Sequence, residues 1–388
     1  PNMLGLKASI LREVRRLGSR RIYICAMVLV PMLCALFFVS LLEPGLPLKT
    51  PVAVVDLDHS TMSRKVTRTL NALETIDVSE RIESYDKALD RVRAGEIYGF
   101  FVIPANFEAD ALGGRTPTLE YYSNMTYFVP GTLAFKGFKT VAVTTTGGLV
   151  TATLVSAGAD PAMVGSLIQP MTVQEHPLGN PWLSYSIYLC PSFIYGVLAL
   201  MIFLTTAFAI TMEIKNGTSS QWLATAHGRM SVALVGKLLP HTVIFSVVGL
   251  GIMSLLWGYC HFPVAGSLWW MALAVLLFVM ACQAMALFVV SVFPNPRLSL
   301  SVLSLLGILS FSLTGFSFPV QSMYGALAIF SYAIPVRYLF LIYVSDVLNG
   351  WPIYYVRLYY VALILFVPIG CTLAWRLIKA CLKPVYVP

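Results

Sequence analysis

The longest uncharged stretch of the chain, residues 238–296, reads LLPHTVIFSVVGLGIMSLLWGYCHFPVAGSLWWMALAVLLFVMACQAMALFVVSVFPNP. One transmembrane helix needs only about 20 apolar residues, so this stretch predicts two spans joined near 260–267. The composition agrees, because the chain is 57% hydrophobic and 11% charged, whereas soluble domains are about 45–50% apolar and about 25% charged. We therefore predict an α-helical polytopic membrane protein.

Further uncharged runs complete the pattern of apolar segments. We predict six transmembrane helices, at 22–42, 184–211, 231–258, 268–292, 298–316 and 354–376. Between the last two, Pro335 and Arg337 interrupt an apolar segment, and we predict a re-entrant hairpin at 317–350. Such backbone is tolerated at membrane depth only where it is buried in protein or lines a cavity. Spans two to six thus fall within 184–376.

The charges indicate how the spans are oriented. Residues 44–183 contain 14 of the 18 acidic side chains, whereas basic residues gather at alternate ends of the spans. The positive-inside rule then predicts that 1–21 and the tail 377–388 are cytoplasmic and that 43–183 lies outside. The net charge of +8 reflects this topology, so we expect no nucleic-acid partner.

The segment 43–183 is predicted to be an inserted α/β domain outside the cytoplasm. Strand-like runs, such as 51–56 and 97–103, alternate with segments of helical period, which favours a small α/β fold. A helix of small residues follows at about 131–158, and a loop at 170–181 leads back to the membrane. All seven cysteines lie in or beside the spans, so we expect this domain to fold without disulfides.

Residues 1–21 are predicted to form an amphipathic helix, because apolar residues recur at three- and four-residue spacing. Such a helix lies in the membrane interface with its basic side chains near lipid phosphates. The candidate membrane-surface residues are Arg12, Arg15, Arg16, Arg20 and Arg21. A solvated helix next to the membrane is the alternative.

Several chemistries lack their sequence motifs. The chain contains no Gly-x-x-x-x-Gly-Lys-Ser/Thr phosphate-binding loop, no Cys-x-x-Cys pair and no Gly-x-Ser-x-Gly nucleophile motif. Its five histidines are scattered, and the predicted spans contain almost no acidic or histidine side chains. Intramembrane catalysis and ion-coupled transport both need such groups. We therefore expect no catalytic residue, no metal site and no cofactor in this chain.

The polar stretch 213–229, EIKNGTSSQWLATAHGR, separates two apolar runs. Thr218 and Gln221 have the spacing of a capping box, in which two residues satisfy each other's free amide groups at a helix start. We predict a short helix that directs Trp222 and Leu223 away from the rest of the chain, as an apolar plug for a groove on another protein. The alternative is an interfacial helix whose tryptophan lies among lipid headgroups.

This stretch resembles the signature E-x-x-x-G-T-x-x-x-L-L-x-T of ABC-2 type transporter permeases. The matching residues are Glu213, Gly217, Thr218, Leu223 and Thr225. Trp222 stands where the family has its first leucine. The segment 313–323 is similar to the family's G-x-x-[FY]-P-x-x-x-[ML]-P segment, with Tyr324 in place of the final proline. The resemblance is closest to the bacterial subgroup with a large periplasmic domain between the first two transmembrane helices, whose members are described as multidrug or lipid exporters.

The resemblance implies a larger complex in a bacterial inner membrane. Two ABC ATPase subunits would bind ATP and Mg²⁺, and a second permease, identical or a sister chain, would complete the pathway. The coupling helix at 213–229 would contact the ATPase through Gln221 and the signature residues. Glu213 would lie close to a base of the amphipathic helix. The periplasmic domain would receive cargo or bind an adaptor.

In the family, spans two and five border the transport pathway. Here span two offers aromatic rings and span five offers hydroxyl groups, which suits export of an amphipathic or hydrophobic, drug-like or lipid-like cargo. The candidate residues are Tyr188, Phe193, Tyr195, Phe203, Ser301, Ser304 and Ser312. Helix packing alone also accounts for these residue types. Two rival functions are a non-transporting membrane receptor or adaptor and a polysaccharide exporter, and the size of 43–183 counts against the latter.

Overall fold

The computed structural model describes residues 2–168 and 176–383. The chain divides into two compact units, of which the first combines Pro1–Glu43 with Pro177–Pro388 and the second is Pro44–His176. Parts of the predicted loop 170–181 and of the predicted tail 377–388 lie outside the described residues.

Two helices begin the first unit, α1 at Asn2–Ser19 and α2 at Arg21–Leu41. Arg20 separates them, because its extended backbone (φ −118°) breaks the helical hydrogen bonding. On α1, Ser9, Glu13 and Leu17 recur every four residues and are buried. Residues at this spacing share one face of a helix, so α1 is held against the rest of its unit along one side.

The second unit contains a four-stranded sheet. Its strands are β1 (Thr50–Asp56), β2 (Ile76–Ile82), β3 (Gly99–Ile103) and β4 (Glu120–Ser123). Its helices are α3 (Thr61–Asn71), α4 (Tyr85–Arg93), α5 (Phe107–Leu112), α6 (Phe128–Ser156) and α7 (Pro161–Ile168). The strand order is β2-β1-β3-β4, with β1 parallel to β2 and β3, and β4 antiparallel to β3. The sheet and its helices agree with the predicted α/β fold.

Side chains on both faces of β1 are buried, because helices cover the sheet from two sides. Val52 and Val54 belong to a core that α3, α5 and α6 complete, whereas Ala53 and Val55 belong to a second core with α4. The helix predicted at about 131–158 is α6, and its buried residues all fall in its first half. The ring of Phe138 lies at the centre of the contact between α6 and the sheet, since its exposed fraction is 0%.

The remaining helices belong to the first unit. They are α8 (Tyr185–Lys215), α9 (Ser219–Thr225), α10 (Met230–Tyr259), α11 (Leu268–Val292), α12 (Pro296–Leu313), α13 (Gly325–Ser331), α14 (Pro335–Leu348), α15 (Ile353–Cys371) and α16 (Arg376–Leu382). Helices α8 and α11 are the central pair, because 67% of the most apolar window of each is buried, against 22–33% for α2, α10, α12 and α15. Gly307 of α12 lies against Leu200 of α8 where a larger side chain would overlap it.

The number of candidate spans differs from the prediction. Seven helices of the described chain are long and apolar enough to cross a membrane. Six of them coincide with the predicted spans, and the seventh is α6, whose length and composition also meet the criterion. The pair α13 and α14 meets it jointly but is bent by 77°, which fits a broken span as well as a re-entrant loop. The re-entrant hairpin at 317–350 therefore stays a prediction.

The packing of α6 on the sheet can be tested with Phe138→Ala. The ring centroid of Phe138 lies 5.6 Å from that of Phe101 and 5.8 Å from that of Tyr121. Removing a buried phenylalanine costs about 3–5 kcal/mol, so hydrogen exchange of the β1 amides in the full chain should become at least about a hundredfold faster. Phe135→Ala is the matched control, because Phe135 is 37% exposed. Equal exchange in both variants would contradict this packing.

Candidate functional site

A cluster of charged side chains joins α1, α8 and α10 inside the first unit. Glu13, Glu213, Lys237 and His241 are each at most 1% exposed. The ammonium nitrogen of Lys237 lies 2.6 Å from the Glu13 carboxylate and 3.0 Å from the Glu213 carboxylate. The Nε2 atom of His241 lies 3.0 Å from the other oxygen of Glu13. Lys237 thus bridges the two acids.

The cluster extends towards the surface through two arginines of α1. Arg12 donates two hydrogen bonds to the Glu213 carboxylate, at 2.9 and 3.0 Å. Arg16 and the hydroxyl of Thr218 also donate to Glu213. The ionic cluster therefore comprises Arg12, Glu13, Arg16, Glu213, Thr218, Lys237 and His241. The hypothesis that Glu213 meets a base of the amphipathic helix is confirmed.

Helix geometry explains why these side chains meet. Lys237 and His241 are four residues apart and face the same side of α10. Helix α1 can approach α10 closely at Gly236, because a side chain at this position would overlap Ser9. Glu213 lies in the last turn of α8. An apolar surrounding disfavours unpaired charge, so each buried acid and base depends on its partners.

The protonation of Glu13 follows from its surroundings. Burial raises the pKa of its carboxyl group, but the hydrogen bond with His241 and the charge of Lys237 outweigh burial and hold the pKa below its ordinary value. Glu13 is therefore a carboxylate. The Nδ1 atom of His241 has no hydrogen-bond partner among residues 2–168 and 176–383.

Helix α9 lies where the short helix was predicted, but its apolar face points inward. Trp222 is 1% exposed and Leu223 is 4% exposed. The indole nitrogen of Trp222 donates to the Ala233 carbonyl at 3.3 Å, and the Lys237 ammonium lies 5.1 Å from a Trp222 ring centroid, a cation–π distance. The prediction that these side chains form an exposed plug is wrong, because α10 and the ionic cluster already occupy their faces.

The predicted capping box is also absent from α9. Thr218 is the residue before the helix, but its backbone is not extended and its side chain makes no cap hydrogen bond. Its hydroxyl instead donates to the carboxylate of Glu213. Ser219, the first residue of the helix, ties it to α16, because its hydroxyl donates to the Cys381 carbonyl at 2.8 Å. Tertiary contacts therefore fix α9 where local capping was expected.

The exposed surface of α9 and its flanking residues consists mainly of polar or small side chains. Its exposed residues are Lys215, Asn216, Gly217, Ser220, Gln221, Ala224, His227, Gly228 and Arg229. Gly217 has φ +68°, a left-handed conformation that glycine adopts without strain and that commonly ends a helix. Of the predicted coupling residues, Gly217 and Gln221 are exposed, Thr218 and Thr225 are half-buried, and Glu213 is buried.

The arginines predicted to meet lipid fall into two groups. Arg12 and Arg16 turn inward to Glu213, with side chains 27% and 13% exposed, so the membrane-surface prediction is wrong for them in this arrangement. Arg15, Arg20 and Arg21 are exposed and remain candidates for lipid contact.

The aromatic residues predicted to line a pathway mostly pack within the chain. Tyr195 and Phe203 are 2% and 0% exposed, and the Tyr195 hydroxyl donates to the Gly249 carbonyl at 3.2 Å. Phe193 stacks on Phe38 at 5.2 Å between ring centroids, and Tyr188 donates to the Phe316 carbonyl. The packing alternative therefore accounts for these rings, and an aromatic wall that includes the two buried ones is wrong.

The predicted pathway serines of α12 are more exposed than the predicted aromatic residues of α8. Ser301 and Ser312 are exposed and Ser304 is half-buried. Ser301 and Ser304 line a groove of about 470 Å³ between α2, α8 and α12, which we call the α2–α8–α12 groove. Its lining residues are Ile22, Tyr23, Ala26, Met201, Leu204, Thr205, Phe208, Leu300, Ser301 and Ser304. The hydroxyl of Tyr23 is buried and has no hydrogen-bond partner in the described part of the chain.

Comparison with known families decides the class of protein. A family model described as ABC-2 family transporter protein matches residues 21–376. The chain belongs to this family. It is thus the membrane-spanning permease subunit of an ABC transporter, a transport component that is not itself catalytic. A search of curated proteins found no match.

Some residues of the candidate site escaped the sequence analysis. Glu13 and the Lys237–His241 pair had no assigned role, although a lysine and a histidine four residues apart in an apolar helix signal a polar face that needs partners. Glu13 lies before the range matched by the family model, and Tyr23 is one aromatic residue among many. Only the fold brings α1 against α10.

The contribution of Glu213 to the permease can be tested with Glu213→Gln. The substitution keeps the side-chain size but removes the carboxylate that Arg12, Arg16 and Lys237 share. Removing one partner of a buried ion pair costs about 3–5 kcal/mol, and we expect this loss in the free energy of unfolding in mild detergent. Glu43→Gln is the control, because Glu43 is exposed and surface changes stay within about 0.5 kcal/mol. Similar losses in both variants would count against the cluster.

The stability of the permease should also depend on pH through Glu13. Because the pKa of Glu13 in the folded chain lies below its ordinary value of 4.5, its contribution is complete above pH 4.5 and is lost as the pH falls through the folded-state pKa. The apparent melting temperature should therefore drop on acidification below about pH 4.5. Glu13→Gln should have a lower melting temperature than the wild type near neutral pH and a smaller drop on acidification. Glu43→Gln should lose melting temperature with falling pH as steeply as the wild type. Parallel profiles for Glu13→Gln and wild type would refute this role.

Proposed function

We propose that this permease exports an amphipathic or hydrophobic molecule, drug-like or lipid-like, out of the cytoplasm or the inner membrane of a bacterium. Two ABC ATPase subunits, which bind ATP and Mg²⁺, would drive it, and a second permease, identical or a sister chain, would complete the pathway. The observation that carries the proposal is the rigid attachment of α9 to three other helices through the ionic cluster and Trp222.

This attachment suits a helix that transmits force. Thr218 ties the start of α9 to Glu213 of α8, Trp222 inserts against α10, and Arg12 joins the same carboxylate to α1. A push on α9 would therefore move the cytoplasmic ends of α8, α10 and α1 together, as in a rigid-body switch. A loosely tethered loop would absorb the same displacement.

The ATPase would bind the exposed face of α9 and not its tryptophan. That face presents Ser220, Gln221 and Ala224, together with Asn216 and Gly217 before the helix. Small and polar residues allow close approach and hydrogen bonding. Trp222 and Leu223 would act from inside, by fixing the position of this face.

The orientation of the permease follows the positive-inside rule. The basic residues around α9 and at both ends of the described chain favour a cytoplasmic location for these segments. The unit Pro44–His176 would then be periplasmic, where it could receive cargo or bind an adaptor.

The α2–α8–α12 groove is our candidate site for the cargo. Its volume of about 470 Å³ falls within the range of about 300–1,000 Å³ for small-molecule pockets. Its lining is apolar apart from the hydroxyl groups of Tyr23, Thr205, Ser301 and Ser304, and it contains no charged side chain. These walls favour an apolar molecule that carries a few hydrogen-bonding groups.

The role of α9 can be tested by co-expressing the permease with candidate ABC ATPase subunits. The double variant Ser220→Arg with Ala224→Arg changes only exposed positions, so it should leave the melting temperature nearly unchanged. We expect it to remove most of the co-purified ATPase and of its ATP hydrolysis, because two bulky charges would separate the docking surfaces.

Trp222→Ala provides the matched comparison. It should destabilise the permease by about 3–5 kcal/mol, the usual cost for a buried tryptophan, and weaken ATPase binding only as far as it unfolds α9. If the arginine variant binds ATPase normally, or if folded Trp222→Ala protein loses binding completely, the proposed docking face is wrong. If no ATPase binds the wild-type permease, the receptor alternative gains support.

A further inference from the structure

A second groove, larger than the first, opens between α10, α11, α15 and α16. We call it the α10–α11–α15 groove. Its volume is about 710 Å³, within the range for ligand pockets. Leu234, Val235, Leu238 and Leu287 form much of its wall, and Trp375 and Ile378 border it from the α16 side. None of these residues belongs to the ionic cluster or to the candidate cargo groove.

The interior of this groove is lined mainly by apolar side chains. Two of its polar side chains, Thr242 and Gln283, pair with each other, since the Thr242 hydroxyl donates to the Gln283 amide oxygen at 2.7 Å. The Gln283 amide nitrogen donates to the Leu238 carbonyl at 3.4 Å. A hydrocarbon chain can therefore lie against Thr242 and Gln283 without depriving either side chain of its hydrogen-bond partner.

One end of the groove is basic. Arg229 lines it and is exposed, and α16 carries the exposed Arg376 and Lys379 beside the lining residues Trp375 and Ile378. The sequence from residue 214 onward contains a single acid, Asp346. Its carbonyl lies against Gly266, just before the opposite end of α11. Asp346 thus lies near the opposite end of α11 from these three basic side chains.

We propose that the α10–α11–α15 groove binds an anionic phospholipid of the surrounding bilayer. One acyl chain lies along Leu234, Val235 and Leu238, and the phosphate contacts Arg229. Arginine carries five donors, so it can bind a phosphate in addition to its other contacts. Basic pockets between transmembrane helices on the cytoplasmic side bind anionic headgroups, and an exposed tryptophan such as Trp375 is typical of the headgroup level.

The proposal depends on the membrane location that the family gives and on no ATPase, cargo or coupling step. Lipid binding by the permease alone therefore tests it separately from the proposed export function. A soluble anion would not explain the length of apolar wall, and an uncharged apolar molecule would not explain the basic end. The phospholipid satisfies both.

The experiment uses the full chain in nanodiscs that contain a diazirine-bearing phosphatidylglycerol or the matching phosphatidylcholine. After photolysis, mass spectrometry locates and counts the labelled residues. We expect labelling of the groove residues of α10 and α11 to be several-fold stronger with phosphatidylglycerol. Arg229→Gln should lower this preference about fivefold, the usual effect of one basic residue near an anionic lipid.

Two tryptophan substitutions on α10 separate filling of the groove from general disturbance. Val235→Trp places a ring in the groove from a position that is 51% exposed, and should abolish groove labelling. Val243→Trp changes an equally exposed residue, 56% exposed, that does not line the groove, and should leave labelling intact. Arg297→Gln, at the start of α12, is the charge control.

Three outcomes would overturn the proposal. Groove labelling no stronger than on other lipid-facing surfaces would mean that no lipid is held there. Equal labelling by the two lipids would mean that charge plays no part. Persistence of the label in Val235→Trp would mean that the lipid lies elsewhere. Loss of the phosphatidylglycerol preference in Arg229→Gln but not in Arg297→Gln would support the assigned phosphate contact.

Discussion

The ammonium group of Lys237 lies between two buried carboxylates, and α1, α8 and α10 meet around it. A buried lysine is tolerated only with partners that offset the loss of hydration. Lys237 finds these partners on α1 and α8, so the requirement to pair one charge draws three helices together. A leucine at position 237 would fill the space but would give α1 no reason to occupy one defined position.

This constraint makes α1 part of the permease and not a detachable membrane anchor. Its buried side carries Ser9, Glu13 and Leu17, and its arginines complete the shell around Glu213. Because Arg12 and Arg16 satisfy an internal acid, fewer basic residues remain for lipid than the sequence suggests. The same side chains cannot serve both roles at once, so any release of α1 towards the membrane would have to break the ionic cluster.

The sequence predicted the features that depend on composition over long stretches. The six apolar spans and the α/β character of the inserted segment follow from hydropathy and periodicity, which local sequence records directly. The direction of Trp222 and the partners of Lys237 were not predictable in this way. They depend on which helix faces which, and α1 and α10 are more than 200 residues apart at the Glu13–Lys237 contact. Among the residues predicted to line a pathway, residue type alone could not show that Tyr195 is buried and Ser301 exposed.

The buried position of Trp222 argues against the interpretation of the family-like signature as a docking motif. The signature places an acid, a Gly-Thr pair and two large apolar residues at fixed spacing, which suggests a docking motif. In this chain Glu213 and Thr218 hydrogen-bond to each other, and Trp222 and Leu223 face inward. In this chain the matching residues therefore hold a short helix against its own subunit. Its larger tryptophan reaches both the Ala233 carbonyl and the Lys237 ammonium, so the departure from leucine adds contacts within the subunit.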